Sequence, residues 1–77
     1  KFPTSIAVDK KGFIYIVDQH SGRILVFDKK GVFQSAILGP GVKEGQLSYP
    51  SYIFLDKEGK IYIIDNNRVQ IFKEEKG

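Results

Sequence analysis

The sequence contains no cysteine, methionine or tryptophan, and His20 is its single histidine. The lack of cysteine excludes a disulfide framework, and one histidine cannot supply zinc-finger spacing. No apolar run approaches the roughly 20 residues that span a bilayer, so we expect no membrane insertion by this segment. A chain of 77 residues buries only about 60% of its unfolded surface, and it is marginally stable without a disulfide or metal.

Hydrophobic residues make up 42% of the chain, which excludes a disordered tail. The net charge is +3, with lysine as the main basic residue. A positive charge loosely favours anionic partners, although a solvated, lysine-rich surface is the simpler interpretation.

The sequence repeats itself with an offset of 47 residues, which aligns residues 3–18 with residues 50–65. Nine pairs are identical: Pro3/Pro50, Ile6/Ile53, Asp9/Asp56, Lys10/Lys57, Gly12/Gly59, Ile14/Ile61, Tyr15/Tyr62, Ile16/Ile63 and Asp18/Asp65. After a two-residue deletion, residues 23–27 align with residues 68–72. A period of about this length is typical of solenoids and propellers.

Short runs rich in Ile, Val, Phe and Tyr, separated by turn residues, predict β-strands and no helix. The predicted strands are 5–9, 13–18, 23–28 and 32–38 in the first unit, and 52–56, 60–65 and 68–73 in the second. Three turns share an Asp-Lys-x-Gly pattern that predicts a type I turn closed by a left-handed glycine, and these begin at Asp9, Asp28 and Asp56. Asn66-Asn67 predicts a two-residue hairpin.

The apolar runs at 13–17 and 61–64 do not alternate with polar residues. Continuous apolar strands are expected where both faces of a sheet are covered. In a repeated antiparallel unit the neighbouring units provide that cover, as the stacked blades of a β-propeller do.

The combined pattern Pro-x-x-Ile-x-x-Asp-x-x-Gly-x-Ile-Tyr-Ile-x-Asp, followed by Arg-[Ile/Val]-x-[Val/Ile]-Phe, resembles the NHL repeat. The resemblance implies an all-β fold of antiparallel four-stranded blades: two adjacent blades of an NHL-type β-propeller, the second incomplete. Residues 1–49 would form the first blade with its link, and residues 50–77 the second. Ser5 and Tyr52 depart from the family, which usually carries glycine there.

Propellers of the NHL family usually have about six blades, and this chain holds fewer than two. Two blades leave two large apolar faces uncovered. We therefore expect the chain to be a piece of a larger propeller, or copies of it to assemble into one. Three copies would give six blades.

Alternate turns of an up-and-down sheet lie at opposite ends. One end is expected to carry a basic rim of lysines: Lys10, Lys11, Lys29, Lys30 and Lys57. The other end is expected to carry the candidate interaction surface: His20, Ser21, Arg23, Lys43, Tyr49, Asn66, Asn67 and Arg68. Asp18 with Arg23, and Asp65 with Arg68, flank tight hairpins and are expected to form structural ion pairs.

Residue types for catalysis are sparse. Asp18, His20 and Ser21 include the types of a hydrolytic triad, but three residues at one turn do not easily reach its geometry. A metal site needs three or four ligands, and His20 has only Asp18 nearby. The glycines at 39, 41 and 45 lack dinucleotide-binding spacing. We expect no catalytic residue, metal or cofactor within this segment.

The resemblance implies a non-catalytic scaffold that binds a protein partner through a loop face, alongside further propeller blades. One alternative is a metal-dependent propeller enzyme, lyase- or lactonase-like, completed by other blades. Another is an RNA-binding propeller, which should add exposed aromatics or arginines for stacking. Lysine and isoleucine usage is typical of a prokaryote, and prokaryotic relatives are often exported, so an extracytoplasmic location is expected.

Overall fold

The computed structural model describes residues 5–73, and this part of the chain contains strands and no helix. The strands are β1 (Ser5–Val8), β2 (Ile14–Asp18), β3 (Arg23–Phe27), β4 (Phe33–Ile37), β5 (Gly39–Pro40), β6 (Gln46–Leu47), β7 (Pro50–Leu55), β8 (Lys60–Asp65) and β9 (Arg68–Lys73). The all-β prediction is confirmed. A helix long and apolar enough to cross a membrane is not found among these residues.

The strands form two antiparallel meanders. The first sheet has the order β1-β2-β3-β4, and the second has the order β7-β8-β9. Between them, β5 and β6 pair in parallel within the connecting residues 38–49, called the link below. β7 begins at Pro50, two residues earlier than expected, with a register shift between Pro50 and Tyr52. Proline is tolerated there because it is the first residue of the strand. Its repeat partner Pro3 lies outside the described residues.

The Asp-Lys-x-Gly turns are built alike. Asp9 Oδ1 accepts hydrogen bonds of 2.9 Å from the backbone N–H groups of Lys11 and Phe13. Asp28 and Asp56 make the same pair of contacts, at the same distances, in their own turns. The closing glycines have left-handed φ angles of 92°, 86° and 86° at Gly12, Gly31 and Gly59. The predicted turn chemistry is confirmed.

The core lies between the stacked sheets. Val17 and Ile24 of the first sheet are fully buried, as are Ile63 of the second sheet and Leu47 of the link. β7 packs against β1 and β2, and the Ile53 N–H donates to Ser5 Oγ at 3.3 Å. The sheets therefore approach each other most closely along their first strands. In a propeller this is the side that faces the axis, because the blades converge there.

Each sheet has one covered face and one open face. The alternation of burial along β1, intermediate then exposed, leaves Ile6 and Val8 open to solvent. Tyr52 and Phe54 of β7 are exposed on the far side of the second sheet. The expectation that both faces of the apolar strands are covered is thus met on one face of each sheet within residues 5–73.

Gly22 lies where the β2–β3 hairpin meets the link. Its φ is +70°, and an added Cβ would lie 3.0 Å from Pro40 Cα and 3.2 Å from the carbonyl oxygen of Leu47. Both contacts involve backbone, which cannot move aside as a flexible side chain would. Gly31 is a matched control because its φ is +86° and an added Cβ would meet nothing within 4 Å.

We expect Gly31→Ala to lower the free energy of unfolding by about 1 kcal/mol, the cost of a left-handed alanine. Gly22→Ala should cost at least about 2 kcal/mol, because overpacking adds to the same backbone strain. Urea denaturation of both variants measures the difference. If both variants lost the same free energy of unfolding, the link would not pack against Gly22 as closely as described.

Candidate functional site

The two ends of the sheets carry different loops. The β1–β2, β3–β4 and β7–β8 turns lie at one end, and their lysines are exposed: Lys10, Lys11, Lys29, Lys30 and Lys57. Neighbouring turns touch at this end, since a Cβ on Gly12 would lie 3.0 Å from Lys29 Cβ. These five residues form the lysine rim. The turn aspartates beside them accept backbone N–H groups, so their carboxylates fix the turns.

The opposite end gathers the β2–β3 hairpin, the β8–β9 hairpin and the link. Gly22 approaches Pro40 and Leu47, and the Asn66 N–H donates to the Tyr49 carbonyl at 3.0 Å. We call this end the link face. It contains all eight residues of the expected interaction surface: His20, Ser21, Arg23, Lys43, Tyr49, Asn66, Asn67 and Arg68.

Asp65, the last residue of β8, anchors the link. Its side chain has no solvent exposure, but its carboxylate is charged and makes several hydrogen bonds. Oδ1 accepts the Ser48 N–H at 2.9 Å and the Tyr49 N–H at 2.7 Å. Oδ2 accepts Arg68 Nε at 3.2 Å and Arg68 Nη2 at 3.0 Å. These hydrogen bonds offset the desolvation free energy that burying a charged carboxylate costs.

The second set of contacts runs from β9 to the link carbonyls. Arg68 Nη2 donates to the Gln46 carbonyl at 2.9 Å, and Gln70 Nε2 donates to the same oxygen at 2.8 Å. Gln70 Oε1 in turn accepts the Gly45 N–H at 3.1 Å. Side chains of β9 therefore bind both N–H and carbonyl groups of the link backbone. Beside these contacts, an open groove of about 410 Å³ lies along β9 and residues 44–45.

The pKa of Asp65 is lowered by these contacts. Burial opposes its ionisation, but the Tyr49 N–H, the Arg68 guanidinium and the Ser48 N–H together stabilise the charged form more strongly. The carboxylate is thus charged at neutral pH and holds the link through ionic hydrogen bonds, which are stronger than neutral ones.

Asp18 and Arg23 occupy the equivalent positions in the first sheet, opposite each other in the β2–β3 register. The expected ion pair between them is not formed in the described structure, where Arg23 is exposed. Asp18 Oδ2 instead accepts the Ser21 hydroxyl at 2.9 Å, and that contact is the main cause of the lowered pKa of Asp18. The longer first hairpin contains Ser21, whereas Asn66-Asn67 offers no such hydroxyl.

His20 is exposed at the tip of the same hairpin. The Ser21 hydroxyl is directed at Asp18 and not at His20, an arrangement unlike that of a nucleophile and its base. Within residues 5–73 no three His, Cys, Asp or Glu side chains cluster as metal ligands would.

Two exposed apolar side chains extend from the anchored link. Tyr49 is 57% exposed although its N–H and carbonyl are both hydrogen-bonded, and Val42 is 77% exposed. Val42 was missed by sequence reasoning, as were Gln46 and Gln70. The repeat itself could have suggested Gln70, because the equivalent position in the first unit is the apolar Leu25.

Stacked antiparallel meanders joined by a link, with their first strands closest together, define a β-propeller architecture. A model of the DUF5128 family, described as a 6-bladed beta-propeller, matches residues 4–73. This match covers nearly the whole chain, and the chain belongs to that family. No curated protein matches the sequence. The first sheet is one four-stranded blade, and the second sheet supplies three strands of the next.

Proposed function

We propose that this chain is part of an NHL-type propeller that binds a protein partner through its link face, without catalysis. The NHL assignment is supported by how its motif residues are used. Pro50 opens the innermost strand, Asp56 and Gly59 close the first turn, and Asp65 pairs with Arg68 across the β8–β9 hairpin.

The observation that carries the binding role is the exposure of Tyr49 on a rigid support. Tyrosine is enriched in protein interfaces, where it combines large contact area with few rotatable bonds. Here its backbone is already fixed by Asp65 and by the Asn66 N–H. Binding would therefore cost little loop ordering. Val42 adds an apolar contact from the same link.

A protein partner fits this face better than RNA does. Single-stranded RNA is held by several stacking aromatics or arginines along a basic groove. On the described link face, Tyr49 is the one exposed aromatic side chain. Arg23 is exposed as well, but Arg68 is engaged with Asp65 and Gln46, so this face offers one exposed aromatic and one exposed arginine for stacking. Lys43 and Glu44 are neighbours of opposite charge, so this part of the link is not the basic surface that RNA binding requires.

Site-specific photocrosslinking from within the host cell tests the proposal. A benzophenone amino acid at position 42 or 49 should crosslink one defined protein, and the same label at Val32 should not. Val32 is the matched control because it is also an exposed valine in a loop, but at the lysine rim. With the crosslinked protein purified, Tyr49→Ala should weaken binding at least about tenfold, as expected for an interface anchor.

Val32→Ala should leave that affinity unchanged. Crosslinking that is equal from both ends of the sheets would contradict a link-face site. Capture of RNA in place of protein at position 49 would replace this proposal with a nucleic-acid-binding function.

A further inference from the structure

The end of the sheets opposite the link face carries the whole net charge of the molecule. Lys60 and Lys73 lie opposite each other where β8 begins and β9 ends, so they join the lysine rim at this end. The acidic residues there are Asp9, Asp28, Asp56 and Glu58. These groups are seven of the 12 basic and four of the 9 acidic residues of the chain. The remaining charges cancel, five against five, so this end accounts for the formal charge of +3.

The turn carboxylates bind their own turns and not the rim lysines. Oδ1 of each turn aspartate accepts two backbone N–H groups. Oδ2 accepts a side chain six residues further on, which is Tyr15 at 3.4 Å, Gln34 at 3.3 Å or Tyr62 at 3.0 Å. Within residues 5–73 the rim lysines form no ion pair. Their ammonium groups are therefore available to an external anion.

Four of the rim lysines lie on two turns that touch. A Cβ on Gly12 would lie 3.0 Å from Lys29 Cβ, so the turn with Lys10 and Lys11 packs against the turn with Lys29 and Lys30. Like charges at close range repel one another, and their summed field attracts negative charge from solution. An anionic surface that covers both turns would relieve this repulsion.

An apolar side chain projects from one of these turns. Val32 follows Lys29-Lys30-Gly31 and is 55% exposed, although its N–H and carbonyl are both hydrogen-bonded to Asp28 at 2.9 Å. A fixed backbone thus holds an exposed apolar side chain beside four lysines. This combination suits an anionic membrane surface, where basic groups bind lipid headgroups and an apolar group enters the interface.

We propose that the lysine rim docks on a membrane surface that contains anionic phospholipids, peripherally and without insertion. Lysine is depleted in protein interfaces, which makes an acidic protein the poorer fit. Single-stranded nucleic acid is bound through arginines and aromatics that stack on bases, whereas the basic groups here are all lysine. The inference goes beyond the proposed function and is independent of it. A molecule docked in this way presents its link face, at the opposite end, to the surrounding solution.

Flotation with lipid vesicles tests the proposal. The protein should float with vesicles of phosphatidylcholine that contain about 30% phosphatidylglycerol, whose surface is negatively charged. It should not float with phosphatidylcholine alone. Salt at about 1 M should release it, because the Debye length then falls to about 3 Å. No flotation with the anionic vesicles, equal flotation with both kinds, or flotation that resists salt would each overturn the proposal.

Two double variants with the same loss of charge locate the contact. Lys29→Gln with Lys30→Gln removes two charges from the rim, and Arg23→Gln with Lys43→Gln removes two from the link face. Each basic residue near an anionic membrane strengthens binding about fivefold, so the rim variant should bind vesicles at least about tenfold more weakly. The link-face variant should lose less than about twofold, because its charges lie beyond the screening length. All four side chains are exposed, and circular dichroism checks that the fold is kept. Equal losses would show that net charge, and not the rim, causes binding.

A single tryptophan reports which end approaches the lipid, since the sequence contains none. The emission maximum of Val32→Trp should shift to the blue when anionic vesicles are added, because the indole enters the membrane interface. Val42→Trp, exposed at the link face, should show no shift. A shift at position 42, with or without one at position 32, would overturn the proposal. Binding of polyuridylate in place of vesicles, lost in the rim variant, would assign the rim to nucleic acid and also overturn it.

Discussion

Replacing Asp65 with asparagine is expected to lower the free energy of unfolding by about 3 kcal/mol, because it breaks an ion pair whose carboxylate is buried and leaves N–H donors of the link without an ionic acceptor. The carboxylate accepts hydrogen bonds from two link N–H groups and from the Nε and Nη2 groups of Arg68. Asparagine has the same shape but only one acceptor oxygen, and its NH₂ group would face donors. The Arg68 guanidinium would then lose its ionic partner.

Acid should reveal the same interaction in the unmodified protein. Because the pKa of Asp65 is lowered in the folded state, its contribution is present above the unfolded pKa, about 3.9. That contribution is lost as the pH falls through the lower, folded pKa. The lowered pKa values of Asp18 and Asp56 add to the acid sensitivity of the wild type. The difference between wild type and Asp65→Asn isolates Asp65 and should shrink as the pH falls below about 4.

Urea denaturation at several pH values and one fixed protein concentration measures both effects. Fixed concentration matters because assembly would raise the apparent stability. Glu58→Gln is the control, since Glu58 is an exposed carboxylate at the lysine rim, and it should change stability by less than about 0.5 kcal/mol. A loss in Asp65→Asn no larger than in this control would show that the link is not anchored by Asp65.

Replacing Leu47 with alanine is expected to cost about 3 kcal/mol. Leu47 belongs to the link, a region where side chains are usually exposed, yet it has no solvent exposure and lies in the core. Truncating a buried leucine costs about 2–5 kcal/mol, because transfer energy is lost and a cavity remains. The polar contacts of Asp65 and Gln70 should hold the link in place, so the cavity should not collapse completely.

Val32→Ala provides the comparison for Leu47→Ala, because it removes methyl groups from an exposed position. It should change stability by less than about 0.5 kcal/mol. Thermal denaturation followed by circular dichroism suffices for both. A loss in Leu47→Ala below about 1 kcal/mol would mean that the link is a solvated connection and not part of the core.

Much of the fold could be predicted because its determinants are local. The Asp-x-x-Gly turns depend on a carboxylate two and four residues from the N–H groups it accepts, and on a left-handed glycine. The apolar strands between these turns leave few alternatives to an antiparallel meander. Because the two units have similar sequences, the strands and turns predicted for one unit also support those predicted for the other.

The packing of the link, and which of the two Asp-Arg positions forms an ion pair, could not be predicted in the same way. Burial of Leu47 and the contacts of Gln46 and Gln70 depend on how the link folds back, over 22 to 25 residues of sequence, onto β9. Asp18 and Asp65 are identical residues at equivalent positions of the repeat, so the sequence does not show that their hydrogen-bond partners differ. Asp65 accepts N–H groups of the link, whereas Asp18 accepts the hydroxyl of Ser21. Equivalent residues therefore have different partners because their surroundings are not equivalent.

Solution NMR tests the stacked-blade arrangement most directly. If the two sheets pack along their first strands, nuclear Overhauser contacts will connect the Ile53 amide proton with the Ser5 side chain. Contacts will also connect the Gln19 side-chain amide, which donates to the Pro50 carbonyl at 3.1 Å, with residues 50–51. Contacts confined to strands within each sheet, with none between β1 and β7, would contradict the propeller geometry.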